Sequence, residues 1–359
     1  MKENEIVDVS MYWDIYRTLT HNALFNLILS IRGNGKSYGV KKRCIENFIK
    51  KKEQFAYVRR YKDDLPESLS EFWKDVGKEF PDYEYKADGK KIYIRLRTEN
   101  EKEKWKPEDI AGYAFYLSTA TNKKSVPYPF ITTIMFDEFL MEEGHQKYLK
   151  NEVRAFLNLY ETIARPGTDH PRVIAFLLAN TITVTNPYFL YFNLKMPKEK
   201  DKNGKMIWKH PTKSILVEDA STEAFMNAKR ETEFGGIVAE TDYEGYSVEN
   251  TFLLDDETFV EKKSAKSKHA FNFTYKGKEF GVWFDFTEGK MWVSAAVDPS
   301  GLMYAFTMKD HKPNTMLFKT RNKSYWLKNF FEAFKQGTLY FENMNIKNMT
   351  YEILKMSLF

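Results

Sequence analysis

The chain has 359 residues, 43% of them hydrophobic and 16% aromatic, which supplies packed cores and excludes a globally disordered polypeptide. A net charge of +5 from 55 basic and 50 acidic residues does not by itself imply nucleic acid; the basic side chains must cluster to do so. The single cysteine, Cys44, excludes a disulfide framework and a cysteine-ligated zinc site.

The N-terminal MKENEIVDVSMYWDIY has no apolar signal segment, and no run nears the roughly 18 apolar residues of a membrane span. A soluble cytosolic chain of two domains is therefore expected. The first strand ends at Leu29 and leads into SIRGNGKS, followed by a helix with Val40, Cys44, Ile45, Phe48 and Ile49 on one face. This strand, glycine turn and Lys-Ser form the pattern of a phosphate-binding P-loop, G-x-x-x-x-G-K-[ST], with Ser30 where the first glycine stands. Backbone N–H groups and a helix N-terminus surround phosphates in such a loop. Gly33, Asn34 and Gly35 would supply the turn, Lys36 would reach the β- and γ-phosphates, and Ser37 would hold Mg²⁺. A chance strand-turn-helix is the plain alternative.

Gln54 to Arg60 reads as the second strand, SLSEFWKDVGKEF as an amphipathic helix, and YEYKADGKKIYIRL as a hairpin turning at Asp88-Gly89. ITTIMF (Ile131 to Phe136) and RVIAFLLA (Arg172 to Ala179) are nearly unbroken apolar runs, as in strands buried on both faces of a parallel sheet. Between them NEVRAFLNLYETIA spaces Val153, Phe156, Leu157, Tyr160 and Ala164 as a helix does, and the alternation argues an α/β sheet. A P-loop needs an acid at the end of a buried strand. Asp137 would hold Mg²⁺ through its water shell, and Glu138 would be the general base for an attacking water. Two ordinary surface acids would be the alternative, but adjacent carboxylates ending an apolar strand are costly without a cation.

The RVIAFLLAN strand is expected between the other two, with Asn180 at its end reaching the γ-phosphate or the water. A strand-terminating turn residue is the competing reading of Asn180. Hydrolysis also needs a cation opposite the leaving phosphate. Arg165, just past the helix, is the choice for a finger acting on a neighbouring subunit, with Lys62 next. Arg59, as a nucleotide-binding cation, and Arg60 leave the second strand on the same sheet edge.

After Asn186-Pro187 the composition changes. Leu194 to Pro211 is a lysine-dense excursion with an Asn203-Gly204 turn, and STEAFMNAKRETEF reads as an N-capped connecting helix. The expected division is a P-loop domain over 1–220, a linker over 221–258 and a second domain over 259–359. FNFTYKGKEFGVWFDFTEGKMWVSAAVD holds three period-2 strands joined at Lys276-Gly277 and Glu288-Gly289. A helix ending at Gly337 and a last helix in MTYEILKMSLF complete a small α+β domain with an antiparallel meander.

Asp285, Asp298 and Asp310 are the set a metal-dependent nuclease could use there. Strand parity places Val282, Phe284 and Phe286 on one face and Asp285 opposite, on a face that could be solvated, while Asp298 before Pro-Ser reads as a turn acid. Lys262, Lys263, Lys266 and Lys268, with Lys319, Arg321 and Lys323, favour a domain that grips nucleic-acid phosphates without cutting them. A solvated basic loop is the competing reading.

Five strings occur in order: GNGKSYGVK with ENFIKKKEQFAYVRRYK, TTIMFDEF, NEVRAFLNLYETIAR, LLANTITVTNPYFLYFNL, and KEFGVWFDF with VDPS. Together they resemble the DNA-packaging ATPases of small φ29-type tailed bacteriophages, from about Leu24 to the C-terminus. Leu194 to Pro211 and Thr98 to Pro107 look longer than that pattern. The resemblance implies an additional-strand (ASCE) P-loop ATPase domain followed by an RNase H-like domain, the vestige of a nuclease. It implies ATP and Mg²⁺ as cofactors, and a homomeric, pentameric ring at the portal of a procapsid in the host cytoplasm. The ring would pump double-stranded DNA, joined to the capsid by a packaging RNA. Lys36 and Ser37 match the Walker A residues, Asp137 and Glu138 the Walker B pair, Asn180 the coupling position and Arg165 the arginine finger. A terminase-type packaging nuclease and a non-motor P-loop RNA-binding protein are the rival readings; a switch GTPase lacks support, since no N-K-x-D string follows the loop.

Overall fold

A computed structural model describes residues 11–63, 65–100, 103–122, 127–141, 148–149, 152–165, 171–180, 186–197, 199–201, 204–239, 259–318 and 324–358. The chain separates into two compact units, Met1–Leu253 and Leu254–Phe359.

The first unit is built on nine strands: β1 (Phe25–Ser30), β2 (Gln54–Arg59), β3 (Tyr83–Asp88), β4 (Lys91–Leu96), β5 (Ile110–Tyr116), β6 (Ile131–Asp137), β7 (Ile174–Asn180), β8 (Met206–Lys209) and β9 (Ile215–Asp219). They form one sheet in the order β3-β4-β5-β2-β6-β7-β1-β9-β8. The six strands from β5 to β9 in that order are parallel, so their C-terminal ends share one edge. The β3–β4 hairpin and β8 flank them antiparallel. As expected, β7 lies between β6 and β1.

Helices α1 (Ile15–Leu19), α2 (Lys36–Lys51) and α3 (Leu65–Val76) precede α4 (Glu152–Ile163) and α5 (Pro187–Phe192) in the chain. Val40, Cys44, Ile45 and Phe48 of α2 and Phe72 and Val76 of α3 pack in one hydrophobic layer. Val153, Phe156, Leu159 and Ile163 of α4 and Tyr188 and Phe189 of α5 pack in the other. Every residue of β1 is buried, which is why its sequence is a mostly apolar run rather than an alternation. Cys44 is a core residue, and burial pushes its thiol up to about 12.

The structure extends β1 one residue, to Ser30, and adds strands the sequence pattern does not announce. β5 needs Gly112, because a Cβ there would stand 2.6 Å from the carbonyl oxygen of Phe55. β8 sits inside the lysine-dense excursion and pairs with β9. The Asp88-Gly89 hairpin is present, with Gly89 at φ 58°. Of the stretch 221–258, α6 (Glu223–Arg230) and α7 (Glu233–Val238) belong to the first unit, and 240–258 lies outside the described residues.

The second unit contains β10 (Lys268–Tyr275), β11 (Lys278–Asp285), β12 (Lys290–Ser294), β13 (Met303–Ala305), β14 (Met316–Leu317), α8 (Tyr325–Lys335), β15 (Leu339–Phe341) and α9 (Met344–Leu358). The sheet order is β14-β13-β10-β11-β12-β15. Three antiparallel strands, then a fourth parallel to the first and a fifth parallel to the fourth, give the RNase H-like strand order. Lys276 and Gly277 both have positive φ, 52° and 74°, as a two-residue hairpin turn of the primed kind requires. The last helix begins at Met344, five residues before the stretch that announces it.

Phe72 is fully buried and stacks on Phe55 at 5.4 Å and Tyr85 at 6.1 Å. Phe72→Ala is expected to destabilise the first unit by about 3–5 kcal/mol. Urea unfolding should show an earlier transition for that unit; a shift of under about 1 kcal/mol would contradict this packing.

Candidate functional site

After β1 the chain reverses through Gly33 at φ 92° and Gly35 at φ 80°, backbone angles that favour glycine. Gly35 is the N-cap of α2 and offers no side-chain acceptor, so the first N–H groups of the helix remain available to an anion. Lys36 is buried at the helix start. Its Nζ donates to Ser30 Oγ at 2.7 Å, to the carbonyls of Ile31 at 3.2 Å and Ser30 at 3.3 Å, and to Asn180 Oδ1 at 3.5 Å. Burial pushes the ammonium down to about 8, against the opposing pull of the Asp137 and Asp219 carboxylates. Ser30, the departure from the loop pattern, thus supplies a ligand for the loop lysine.

Strand register brings the other groups to the same edge. Ser30 lies opposite Asn180, and Asp137 opposite Leu178. Ser37 Oγ donates to Asp137 Oδ1 at 2.9 Å, so the two residues expected at a metal are adjacent. A hydroxyl and a carboxylate oxygen are hard donors suited to Mg²⁺, and these residues fit that ion. Glu138 has φ 58°, and its carboxylate accepts from Arg59 Nη2 at 2.7 Å. Arg59 Nη1 also stands 3.7 Å from Asp137 Oδ2.

Arg60 differs from its sequence reading. It is 5% exposed and faces the interior, where Nε and Nη2 donate to Glu152 at 2.9 and 3.0 Å. Its Nη1 and Nη2 also donate to the carbonyls of Glu138 and Phe139, at 3.1 and 2.6 Å. Glu152 accepts further bonds from Leu149 N and Tyr188 Oη, at 2.9 and 3.1 Å. Arg60 therefore holds the turn that carries Glu138 and is no solvent-edge cation. Lys62 is exposed beyond β2. Arg165 is half-buried two residues past α4, whose Tyr160 Oη donates to Val173 O beside the start of β7. That places Arg165 toward the sheet edge opposite the loop, apart from Lys36, Ser37, Asp137, Glu138 and Asn180.

In the second unit the three aspartates serve separate turns. Asp285 is buried and accepts from Thr287 N at 2.8 Å and Ser264 Oγ at 3.0 Å. The expected parity fails there because β11 ends at Asp285, leaving Phe286 75% exposed in the turn. Asp298 accepts from Ser300 N and Oγ, at 2.9 and 2.7 Å. Asp310 accepts from the backbone amides of Lys276 and Gly277, at 3.0 and 2.8 Å. Among the described residues no three His, Cys, Asp or Glu side chains converge as metal ligands. Lys262, Lys266 and Lys268 are exposed, and Lys263 Nζ stands 4.2 Å over the Trp283 ring. Lys319, Arg321 and Lys323 lie outside the described residues.

Ser30 as a lysine ligand and the Arg60–Glu152 pair are the contributors that sequence reasoning missed. Arg60→Ala would leave Glu152 buried without its counterion, at an expected cost of about 3–5 kcal/mol. The Arg60→Ala/Glu152→Ala double variant should lose clearly less than the sum of the single losses in thermal unfolding. Additive losses would show that the pair is not coupled.

The profile of the podovirus DNA encapsidation protein (Gp16) family matches residues 7–358. The chain is 36% identical to the DNA packaging protein of Bacillus phage phi29, over 97% of this chain and 98% of that one. It is 37% identical to the DNA packaging protein of Bacillus phage PZA over the same shares. Its fold matches a chain of the bacteriophage Phi-29 viral genome packaging motor assembly with a TM-score of 0.73 and 36% identity, covering 96% of this chain and 99% of that chain. The chain belongs to the podovirus DNA encapsidation protein (Gp16) family.

Proposed function

We propose that this phage DNA packaging protein is an ATPase that drives double-stranded DNA into a procapsid as a homomeric ring, pentameric at the portal vertex. The carrying observation is the meeting of Lys36, Ser37, Asp137 and Asn180 at the C-terminal edge of β1, β6 and β7. In this reading Lys36 exchanges Ser30 for phosphate oxygens, while the loop amides of Gly33 to Ser37 cradle the phosphates. Ser37 and Asp137 would hold Mg²⁺, which neutralises phosphate charge when bound. Glu138, once it exchanges Arg59 for a water molecule, accepts that water's proton. Asn180 orients the γ-phosphate or the water. Arg165 of a neighbouring subunit, with Lys62 as a further cation, faces the phosphates, a role supported by its place away from its own loop. Arg59 joins the nucleotide-binding set after leaving Glu138.

The proposed division assigns ATP hydrolysis to the first domain and nucleic-acid gripping to the second, with the linker between. The lysines of the second domain suit phosphates of DNA or of a packaging RNA, and their action is sequence-independent and weakened by salt. Cutting of DNA is not supported, since Asp285, Asp298 and Asp310 are each engaged in a separate turn. The motor would work in the host cytoplasm on the assembling particle. Among the described residues no helix is long and apolar enough to cross a membrane.

ATPase activity is expected to rise on adding DNA, and Glu138→Gln to remove roughly 100-fold or more of it. An unstimulated wild type, or an active variant, would refute the assignment. The low Lys36 pKa gives a second expectation. Lys36 loses its proton as pH rises through about 8, whereas an unfolded lysine titrates near about 10.4. The unfolded chain therefore binds more protons between those values, so this lysine makes the fold relatively more stable as pH rises through that window. A bound triphosphate requires the charged form, so ATP affinity should fall from pH 7 to pH 9 with proton uptake at the higher pH. Calorimetry in buffers of different ionisation enthalpy reads both; no proton uptake at pH 9 would overturn the expectation.

A further inference from the structure

Three segments meet on the outer side of the loop. Trp13 N donates to Asn34 O at 3.2 Å, and Asn34 Nδ2 donates to Ala220 O at 2.5 Å. Thr222, the N-cap of α6, donates its hydroxyl to Met11 O at 2.6 Å and accepts from Phe225 N at 3.2 Å. Phe225 and Lys229 stand four residues apart on α6 and so share one face. Both reach the loop. The Phe225 ring lies 3.4 Å from where a Cβ on Gly33 would be, and Lys229 Nζ donates to Arg32 O at 3.3 Å. Tyr12 lies equally near the Cβ position of Gly35, and its ring centroid is 5.4 Å from that of Phe225.

These rings are not consumed by a core. α6 has no buried residue, and Tyr12 and Phe225 are each only part-buried. Apolar ring surface left in water beside a phosphate loop is unfavourable unless something covers it. The group that arrives with the phosphates is a nucleobase, whose flat π-face matches an aromatic ring.

We propose that Tyr12 and Phe225 form the base-stacking face of the nucleotide site. This rests on the P-loop reading above. A stacking face reads a π-surface and not a hydrogen-bonding edge, so either purine nucleoside triphosphate should be accepted with similar affinity. Inorganic tripolyphosphate, which has no base, should be indifferent to both rings.

The test measures equilibrium binding of Mg-ATP, Mg-GTP and inorganic tripolyphosphate to the full chain and to Tyr12→Ala, Phe225→Ala, Phe225→Tyr and Lys36→Ala. Tyr12→Ala and Phe225→Ala are expected to weaken ATP and GTP roughly tenfold or more while leaving tripolyphosphate unchanged, and Phe225→Tyr to bind as the wild type does. Unchanged ATP affinity in both alanine variants overturns the proposal. So does an equal loss for tripolyphosphate, which would mean that the rings only shape the loop. Lys36→Ala separates the underlying reading: if it binds tripolyphosphate as the wild type does, or the wild type binds neither ligand, the P-loop reading falls and the stacking face with it.

Discussion

The turn that ends β6 depends on one buried guanidinium. Glu138 occupies the left-handed region at φ 58°, which costs a non-glycine residue of order 1–2 kcal/mol. Arg60, itself buried, holds it there by donating to the carbonyls of both Glu138 and Phe139. A guanidinium in that position needs its own counterion, and Glu152 supplies it from α4, across the connection that follows β6. Glu152 in turn is satisfied by Leu149 N and Tyr188 Oη. Such a pair is a weak source of net stability, because removing two charges from water offsets most of their attraction. Its consequence is placement: the strand end, α4 and α5 are fixed relative to one another, and the carboxylate of Glu138 is left in reach of Arg59.

The same logic of satisfied charge runs through the loop. Lys36 rests on Ser30, Ser37 on Asp137, and Glu138 on Arg59. Each of these three groups has a protein partner that a phosphate, a metal or a water could replace. Leaving Lys36 buried and unpartnered would cost about 1–3 kcal/mol or more. On the proposed function, exchange of partners would let the edge alternate between two satisfied states. The short Arg59–Glu138 bond is the exchange with the largest chemical effect, because it keeps the proposed general base occupied.

What the sequence made legible follows from burial and local spacing. β1, β6 and β7 are largely apolar because helices cover both faces of the sheet, so their runs and their terminal acids and amide stood out. The loop was legible because its residues are contiguous. β5 hid behind a central glycine needed for close backbone approach, and β8 behind surrounding lysines. The Arg60–Glu152 pair spans 92 residues, and no periodicity links its members. Parity misjudged Asp285 because a two-residue alternation holds only inside a strand, and β11 stops at that residue.

Ser30 draws these threads together. Glycine is required where φ is positive, and the loop has that condition at Gly33 and Gly35. Ser30 is different: it is the last residue of β1, paired in register with Asn180 in ordinary extended backbone. A side chain is sterically allowed there, and its Cβ carries a hydroxyl to within 2.7 Å of Lys36 Nζ. That hydroxyl donates to Ile31 O and so presents a lone pair to the ammonium. A glycine would leave Lys36 with carbonyls and Asn180 alone at a buried site. The serine is therefore an added ligand that steadies the charged lysine when no phosphate is present, and its position in the strand explains why the loop geometry survives it.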